Sequence, residues 1–405
     1  MRSQELLSQA RPIVERAARS VGPIERAEIL PSEMYVSETF WAFEKKAIFE
    51  REWLCVGHVN EVPNPGDHMP LTVLDEPVLM VRDQDGTVRV LSAVCQHRGH
   101  PLIGGVLEHD RSSPCLNSKR LVCPYHNWVY ALDGSLVGAP SMDETTPVSE
   151  LRKTIRLHRF RTEIFHGLVF INFDDNAAPL DLGLGRLAEE FATYPLQDLV
   201  PSHMLAQTGL KWNWKLHHEN ALEPYHTDYV HKGFHASVPS HLTQFCPFEP
   251  GDGQVMRWTG FKEGDSDLYQ ADGNSLPEIE GLTTVQRRRV MFVSLMPTVV
   301  LVLQPASVVL SVLNPRSAGI MEMRRVTLYP KAAVVHPDYE RITHENFERM
   351  KIILAQDSVT QAALQEAYCS RFAPRGRLSR LESAIPQLNA WVLERYRLAL
   401  GECRM

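Results

Sequence analysis

Hydrophobic positions along the chain change their period, and each change marks a different kind of element. The opening stretch, "MRSQELLSQARPIVERAARS", places Leu6, Leu7, Ile13, Val14 and Ala17 on one side of a 3.6-residue helix, which predicts an amphipathic helix. From Phe49 to about Phe173 the pattern shortens. "HMPLTVL", "EPVLMVRD" and "TVRVLSAVC" are β-branched and apolar, and "DQDG" at 83–86 is a hairpin signal between the last two. "GLVFINFDD" at 167–175 reads as the closing strand of a small all-β module. Beyond about residue 176, helical periodicity appears in "LGLGRLAEEFATY" and across 339–368, with strand-like runs around 255–262 and 290–328.

The expected fold class is therefore α+β: a small all-β domain over 49–175, then a larger domain over 176–405 made of an antiparallel sheet with helices against it. The helical segment 1–48 could pack on either; the larger domain is the expected partner. No internal repeat or low-complexity tract interrupts this plan.

One run needs separate treatment. "VMFVSLMPTVVLVLQPASVVLSVL", 290–313, carries no charge, and a helix of that length could span a bilayer. Its valines, Pro297, Pro305 and Gln304 argue instead for two buried strands flanking a turn near "QPAS", so no membrane association is expected.

At 405 residues the chain exceeds what one core usually fills, in keeping with two domains. Forty-two basic against 49 acidic residues give a net charge of −7 with no basic run, which excludes nucleic acid as an expected partner. Seven cysteines, an odd number, speak against a disulfide framework and for a reducing cytoplasm. The N-terminus lacks the apolar core of a secretion signal.

Candidate chemistry lies in two places. "CQHRGH" at 95–100 and "CPYHNW" at 123–128 each supply one Cys and one His. Zinc sites tend to pair like ligands. A [2Fe–2S] cluster held by two thiolates on one iron and two imidazoles on the other needs one of each per loop. Gly99 permits a tight turn, while Pro124 and Trp128 can stiffen and shield the second loop. These loops resemble the Rieske ferredoxin motif, and the resemblance implies Cys95, His97, Cys123 and His126 as cluster ligands. Two features depart from it: 25 residues separate His97 from Cys123, and "HNW" stands where His-Gly-Trp is more common. Cys115 is expected to be a free loop thiol, and His100 and His109 exposed loop residues.

The second place is "WNWKLHHENALEPYHTDYVH", 212–231. On a regular helix His226 and His231 would point about 140° apart, so both can reach one centre only across a kink or π-bulge, which Pro224 makes plausible. Two imidazoles and one carboxylate on one face of an octahedron make the site of non-haem Fe(II) oxygenases. The block resembles the iron motif of Rieske oxygenase catalytic subunits, Asn-x2-(Asp/Glu)-x2-His-x4-His, which Asn220, Glu223, His226 and His231 match position by position. The family takes its third ligand from a helix near the C-terminus. In "HENFERMKIILAQDSVTQAALQEAY" that is Asp357, behind the apolar run Ile352, Ile353 and Leu354, with "GRLSRLES" following at 376–383. Glu345, Glu348 and Glu366 sit among polar neighbours and look solvated.

The resemblance implies a terminal oxygenase that uses O2 and NAD(P)H-derived electrons. A separate ferredoxin or flavin reductase would deliver them, since the chain has no Gly-rich dinucleotide fingerprint. It implies a head-to-tail homotrimer, with electrons passing from His126 through Glu223 of the adjacent subunit to His226. Glu at the bridging position is similar to family members acting on choline, glycine betaine and carnitine. The expected reaction is therefore hydroxylation or oxidative N-demethylation of a small quaternary ammonium substrate, monooxygenation before dioxygenation. Trp258, Tyr225, Tyr229, Phe234 and Tyr269 are candidate walls of a cation cage. The apolar strands of 290–313 argue the other way, toward mono- or dihydroxylation of an aromatic compound. A non-catalytic Rieske carrier or a zinc scaffold is the third reading, and a pure carrier would need neither the second His pair nor a second domain.

Overall fold

The computed structural model describes residues 3–102, 115–180, 183–231, 236–265, 268 and 276–401. Two compact units emerge, one of residues 53–177 and one combining 1–52 with 178–405.

The smaller unit is built almost entirely from short antiparallel strands. Val88–Ser92, Glu76–Arg82, Asp67–Val73 and Leu116–Asn117 form a four-stranded sheet in that order. The expected hairpin closes on Asp83 and Thr87, with Gly86 at φ +85° inside it, a conformation that costs a glycine little. Leu54–His58, Leu168–Asn172 and Arg161–Phe165 make a three-stranded sheet, and "GLVFINFDD" supplies its central strand. A second trio, Leu121–Val122, Val129–Tyr130 and Leu136–Gly138, rests on a core of Leu79, Val81, Leu91, Leu132 and Leu157.

The larger unit is a seven-stranded antiparallel sheet with helices packed on it, so the chain as a whole is α+β. We label its strands β1 (Val200–Leu210), β2 (Thr243–Phe245), β3 (Gln254–Gly260), β4 (Arg289–Leu295), β5 (Val299–Leu303), β6 (Val308–Ser317) and β7 (Ile320–Tyr329). Their order is β1-β7-β6-β5-β4-β3-β2, a meander whose last strand pairs back to its first. The uncharged run 290–313 therefore enters three strands rather than two. Besides the turn at Gln304–Ser307 there is an earlier one after Leu295. Every residue of β5 is buried, so both faces read as apolar and no alternation reveals the extra break.

Helices α1 (Ser3–Arg16), α2 (Glu38–Glu44), α3 (Trp214–Leu222), α4 (Thr227–Val230), α5 (Tyr339–Tyr368) and α6 (Ile385–Ala399) bear on the site. The amphipathic face expected at the N-terminus is present: Leu6, Ala10, Val14 and Ala17 are buried. No helix is long and apolar enough to cross a membrane among the described residues.

Buried polar ties hold α3 on all sides. Asn213 caps it, its Oδ1 accepting the Lys215 N–H at 2.9 Å while its Nδ2 donates to the Ala318 carbonyl at 2.6 Å. Lys215 Nζ and Trp214 Nε1 donate to the two oxygens of Glu44 in α2, at 2.6 and 2.9 Å, and Tyr396 of α6 donates to the same carboxylate. On the sheet side His218 Nε2 lies 2.9 Å from the Pro297 carbonyl and its Nδ1 2.9 Å from Ser294 Oγ, so the ring is satisfied as a neutral imidazole. A buried charged or polar group is tolerable only when so paired, and the pairing fixes the orientation of the helix that leads into the site.

Candidate functional site

Each Cys/His loop of the small unit closes on its own backbone. Gly99 N–H donates to the Cys95 carbonyl at 2.9 Å with Gly99 at φ +75°, and Asn127 N–H donates to the Cys123 carbonyl at 3.0 Å. Asn127 sits at φ +58°, the left-handed region that glycine takes most readily and asparagine tolerates better than other side chains. That is why "HNW" can replace His-Gly-Trp without changing the turn.

The two turns sort the side chains by type. Cys95 and Cys123 are buried against one another, and burial pushes the Cys123 thiol up. The rings of His97 and His126 lie 4.6 Å apart on the other side, and His97 stacks at 4.8 Å on the buried Trp128. His97 Nδ1 is buried with no hydrogen-bond partner. Paired thiols, paired imidazoles and an orphaned ring nitrogen fit a [2Fe–2S] cluster, and fit a single zinc ion poorly.

Tyr130 is a candidate the sequence reading missed. Its hydroxyl lies 3.3 Å from Cys95 Sγ and accepts the Gln96 N–H at 3.1 Å, a contact through which it would tune the potential of a cluster held by that sulfur. Only its position two residues past Trp128 hinted at this. His100 is half-buried rather than exposed, with Nδ1 held 2.7 Å from the Pro101 carbonyl. Cys115 is a free thiol, as expected, and His109 lies outside the described residues.

In the larger unit, α3 stops at Leu222 because Glu223 turns extended at φ −112°, ψ 131° ahead of Pro224. The chain then makes one separate turn, α4, with His226 at its start and His231 at its end. This break, rather than a kink or π-bulge within one helix, brings the two imidazoles together. Asp357 arrives from the middle of α5. His231 Nε2 is 3.0 Å and His226 Nε2 3.5 Å from Asp357 Oδ1, and one ligand atom from each residue lies within 4.8 Å of the others.

Outer partners orient both rings. Glu223 Oε1 accepts from His226 Nδ1 at 2.5 Å, and Gln356 Oε1 from His231 Nδ1 at 2.8 Å, leaving each Nε2 facing the centre. Asn220 Nδ2 lies 3.3 Å from both His226 Nε2 and Asp357 Oδ1. Gln356 was not foreseen; its one signal was adjacency to Asp357. Burial works to lower the His226 pKa, but the Asp357 and Glu223 carboxylates lift it to about 9. Burial likewise opposes ionisation of Asp357, and the two imidazoles hold its carboxyl well below the usual range. Two imidazoles with one carboxylate and an open side fit a non-haem ferrous ion, whose binding would displace the proton that Asp357 and Glu223 favour on His226.

The open side gives onto a cavity of about 70 Å³. Cross-strand pairing places Arg257, Phe292 and Val302 in one row across β3, β4 and β5, and Val300, Ser311 and Arg325 in another, so these side chains share the sheet face toward it. Met350, Ile353 and Leu354 of α5 complete the apolar side. Three of the five residues expected to form an aromatic cage do not line the cavity. Tyr225 and Tyr229 are 46% and 69% exposed, and Trp258 points to the opposite sheet face, under Arg289. Phe234 and Tyr269 lie outside the described residues. Phe292 is the sole aromatic among the described lining.

A Cys2His2 cluster module and a two-histidine, one-carboxylate centre in the same chain define the class of Rieske non-haem iron oxygenases. Residues 52–156 match the Rieske [2Fe–2S] domain, and residues 187–398 the ring hydroxylating alpha subunit (catalytic domain). The chain belongs to that family, whose two modules use a [2Fe–2S] cluster and a mononuclear iron. Among its relatives is a carnitine monooxygenase oxygenase subunit of Acinetobacter pittii (strain PHEA-2), 34% identical over 51% of this chain and 54% of that protein. Another is a benzene 1,2-dioxygenase subunit alpha of Pseudomonas putida, 30% identical over 64% of this chain and 56% of that one. The chain thus spans about half the length of the curated relatives it matches. In fold it is similar to a quaternary ammonium Rieske monooxygenase solved with L-carnitine, at a TM-score of 0.72, 22% identity and coverage of 94% and 97%. It is also similar to naphthalene 1,2-dioxygenase from Rhodococcus sp., at 0.76, 18%, and 98% and 100%.

Proposed function

We propose that the protein is the terminal oxygenase of a Rieske-type system that hydroxylates or oxidatively N-demethylates a small quaternary ammonium substrate of the betaine or carnitine kind. The observation that carries the oxygenase reading is the convergence of His226, His231 and Asp357 on one side of a cavity whose other walls combine apolar side chains with Arg257 and Arg325. Glu223 at the bridging position, together with the carnitine monooxygenase relatives, supports the quaternary ammonium class. Hydroxylation of an arene is the second reading, supported by the apolar wall of Phe292, Val300 and Val302 and by the dioxygenase relatives.

In this reading Cys95, Cys123, His97 and His126 hold the cluster, and His226, His231 and Asp357 hold ferrous iron. When bound, these groups supply electrons one at a time and a place where O2 is reduced; one substrate C–H, O2, two electrons and two protons yield C–OH and water. The chain's own residues prepare that event. Glu223 keeps the Nδ1 proton of His226 in place, and Gln356 does so for His231, so that each ring would turn its Nε2 to the iron. Asn220 steadies the Asp357 carboxylate, and the aliphatic side chains keep water from the reacting carbon.

Electrons would come from NAD(P)H through a ferredoxin or flavin reductase. A homotrimer would carry them from His126 of one subunit to Glu223 and His226 of the next. Exposed tyrosines support such a contact: Tyr125 beside His126 is 52% exposed, and Tyr225 and Tyr229 flank His226. Cytoplasmic residence is supported by six cysteines that are all free among the described residues.

The deciding experiment is a single turnover of chemically reduced, iron-loaded protein with O2 against a pool of quaternary amines and a pool of aromatic acids and hydrocarbons, products read by mass spectrometry. Demethylated or hydroxylated amine is expected. Hydroxylated arene alone would replace this reading with the second.

A further inference from the structure

The cavity holds a buried cation with no carboxylate in direct contact among the described residues. Arg257 is 3% exposed, and its guanidinium lies 3.8 Å from the centroid of the Phe292 ring. Nε and Nη2 donate to the Ala221 carbonyl at 3.2 and 3.0 Å, and Nη1 donates to Thr259 Oγ1 at 3.1 Å. All these acceptors are uncharged, and no acid lies within ion-pair distance among the described residues. A guanidinium has five N–H donors, so two remain unused. Burial lowers its pKa to about 9, with Glu223 acting against that, and the group stays charged at neutral pH. Leaving such a charge buried and unpaired is costly unless a partner arrives.

Two neighbours strengthen the same preference. Arg325 adds a second positive charge to the cavity wall, its Nε donating to Ser311 Oγ at 2.8 Å. His217 of α3 lines the cavity at 5% exposure, and neither of its ring nitrogens has a hydrogen-bond partner. Burial and Arg325 push its pKa down to about 3, so it is a neutral ring with one N–H to donate. The sole carboxylate of the described lining is Asp357, which faces the imidazoles.

We propose that Arg257, with His217, receives a carboxylate of the substrate, so that the site selects molecules bearing an anionic end over otherwise equal molecules without one. This rests on the reading of His226, His231 and Asp357 as the iron site and narrows the quaternary ammonium class to zwitterions. A cation without an anionic end would meet two arginines and, among the described residues, Phe292 as its one aromatic wall. A carboxylate would satisfy the unused N–H donors with charge-assisted bonds and leave the rest of the molecule to the apolar side.

The test uses the full-length, iron-loaded protein and two matched pairs: glycine betaine against tetramethylammonium, and benzoate against benzene. Binding is measured by calorimetry and turnover by product analysis. The carboxylated member is expected to bind more tightly, with kcat/KM higher on the order of 10²-fold, because a site built for a polar group rejects analogues that lack it. Arg257→Gln should erase most of that preference by raising KM for the carboxylated member far more than for its partner, and Arg257→Lys should retain part of it. Iron content and cluster spectrum should not move. Equal binding within a pair, or an Arg257 variant that harms both members alike, would overturn the proposal and leave Arg257 as an anchor for the end of α3. If benzoate is preferred to benzene while neither amine reacts, carboxylate recognition stands and the quaternary ammonium reading falls.

Discussion

At His226 two carboxylates approach one imidazole from opposite edges, and they have different tasks. Asp357 faces Nε2, where a metal would sit, whereas Glu223 takes the Nδ1 proton. Asp357→Asn is therefore expected to lose the mononuclear iron on metal analysis while keeping the visible spectrum of the cluster. Glu223→Ala should keep both metals yet slow reoxidation of the reduced cluster by O2 on the order of 10- to 100-fold, the usual weight of an outer partner of a metal ligand. Normal turnover in that variant would remove Glu223 from the electron path. The cluster and iron ligands were legible without coordinates because their motifs resemble those of a known family; the spacing alone left the geometry of His226 and His231 open. Arg257, His217 and Gln356 were not, since each gains its meaning from a neighbour on another element.

At the scale of elements, the site depends on where helices stop. A helix running on through 226 and 231 would splay the two rings; the break at Glu223 and the single turn of α4 bring their centroids to 5.1 Å. Pro224 signalled irregularity, but a proline disturbs the backbone without saying whether the outcome is a bulge or a new helix. The second cluster loop has a similar dependence on one residue. Asn127 at φ +58° predicts that Asn127→Gly keeps the loop and its cluster, whereas Asn127→Val costs about 1–2 kcal/mol from the left-handed backbone and sheds the cluster more readily. Timing cluster loss in a chelator by its visible absorbance distinguishes the two; equal loss rates would show that the turn does not govern retention. The strand count of 290–313 was hidden for a different reason: a strand buried on both faces has no period to read.

For the whole molecule, the buried neutral histidines set a pH limit. Burial lowers the His218 pKa to about 4, against the Pro297 carbonyl, so the folded chain resists a proton that the unfolded chain accepts near 6.5. Its contribution to stability is complete above about pH 6.5 and declines as pH falls toward 4; His217, lowered to about 3, acts in the same direction. The melting temperature should accordingly drop between pH 7 and 5. His218→Gln should start lower and lose less over that interval, and an identical slope in the variant would assign the acid sensitivity elsewhere. The division into a strand-built and a helix-bearing part was readable from periodicity, because it depends on composition over tens of residues rather than on any one contact.

The cavity draws its metal-facing groups from α3, α4 and α5, and the sheet adds Arg257, Phe292, Val300, Val302 and Arg325 to its wall. Descendants of such a chain could therefore change diet one strand residue at a time, at Phe292, Val300, Val302 or Arg257, while inheriting the oxygen chemistry intact. A lineage that exchanged Arg257 for an apolar side chain would be expected to drift from charged metabolites toward hydrocarbons without having to rebuild its iron.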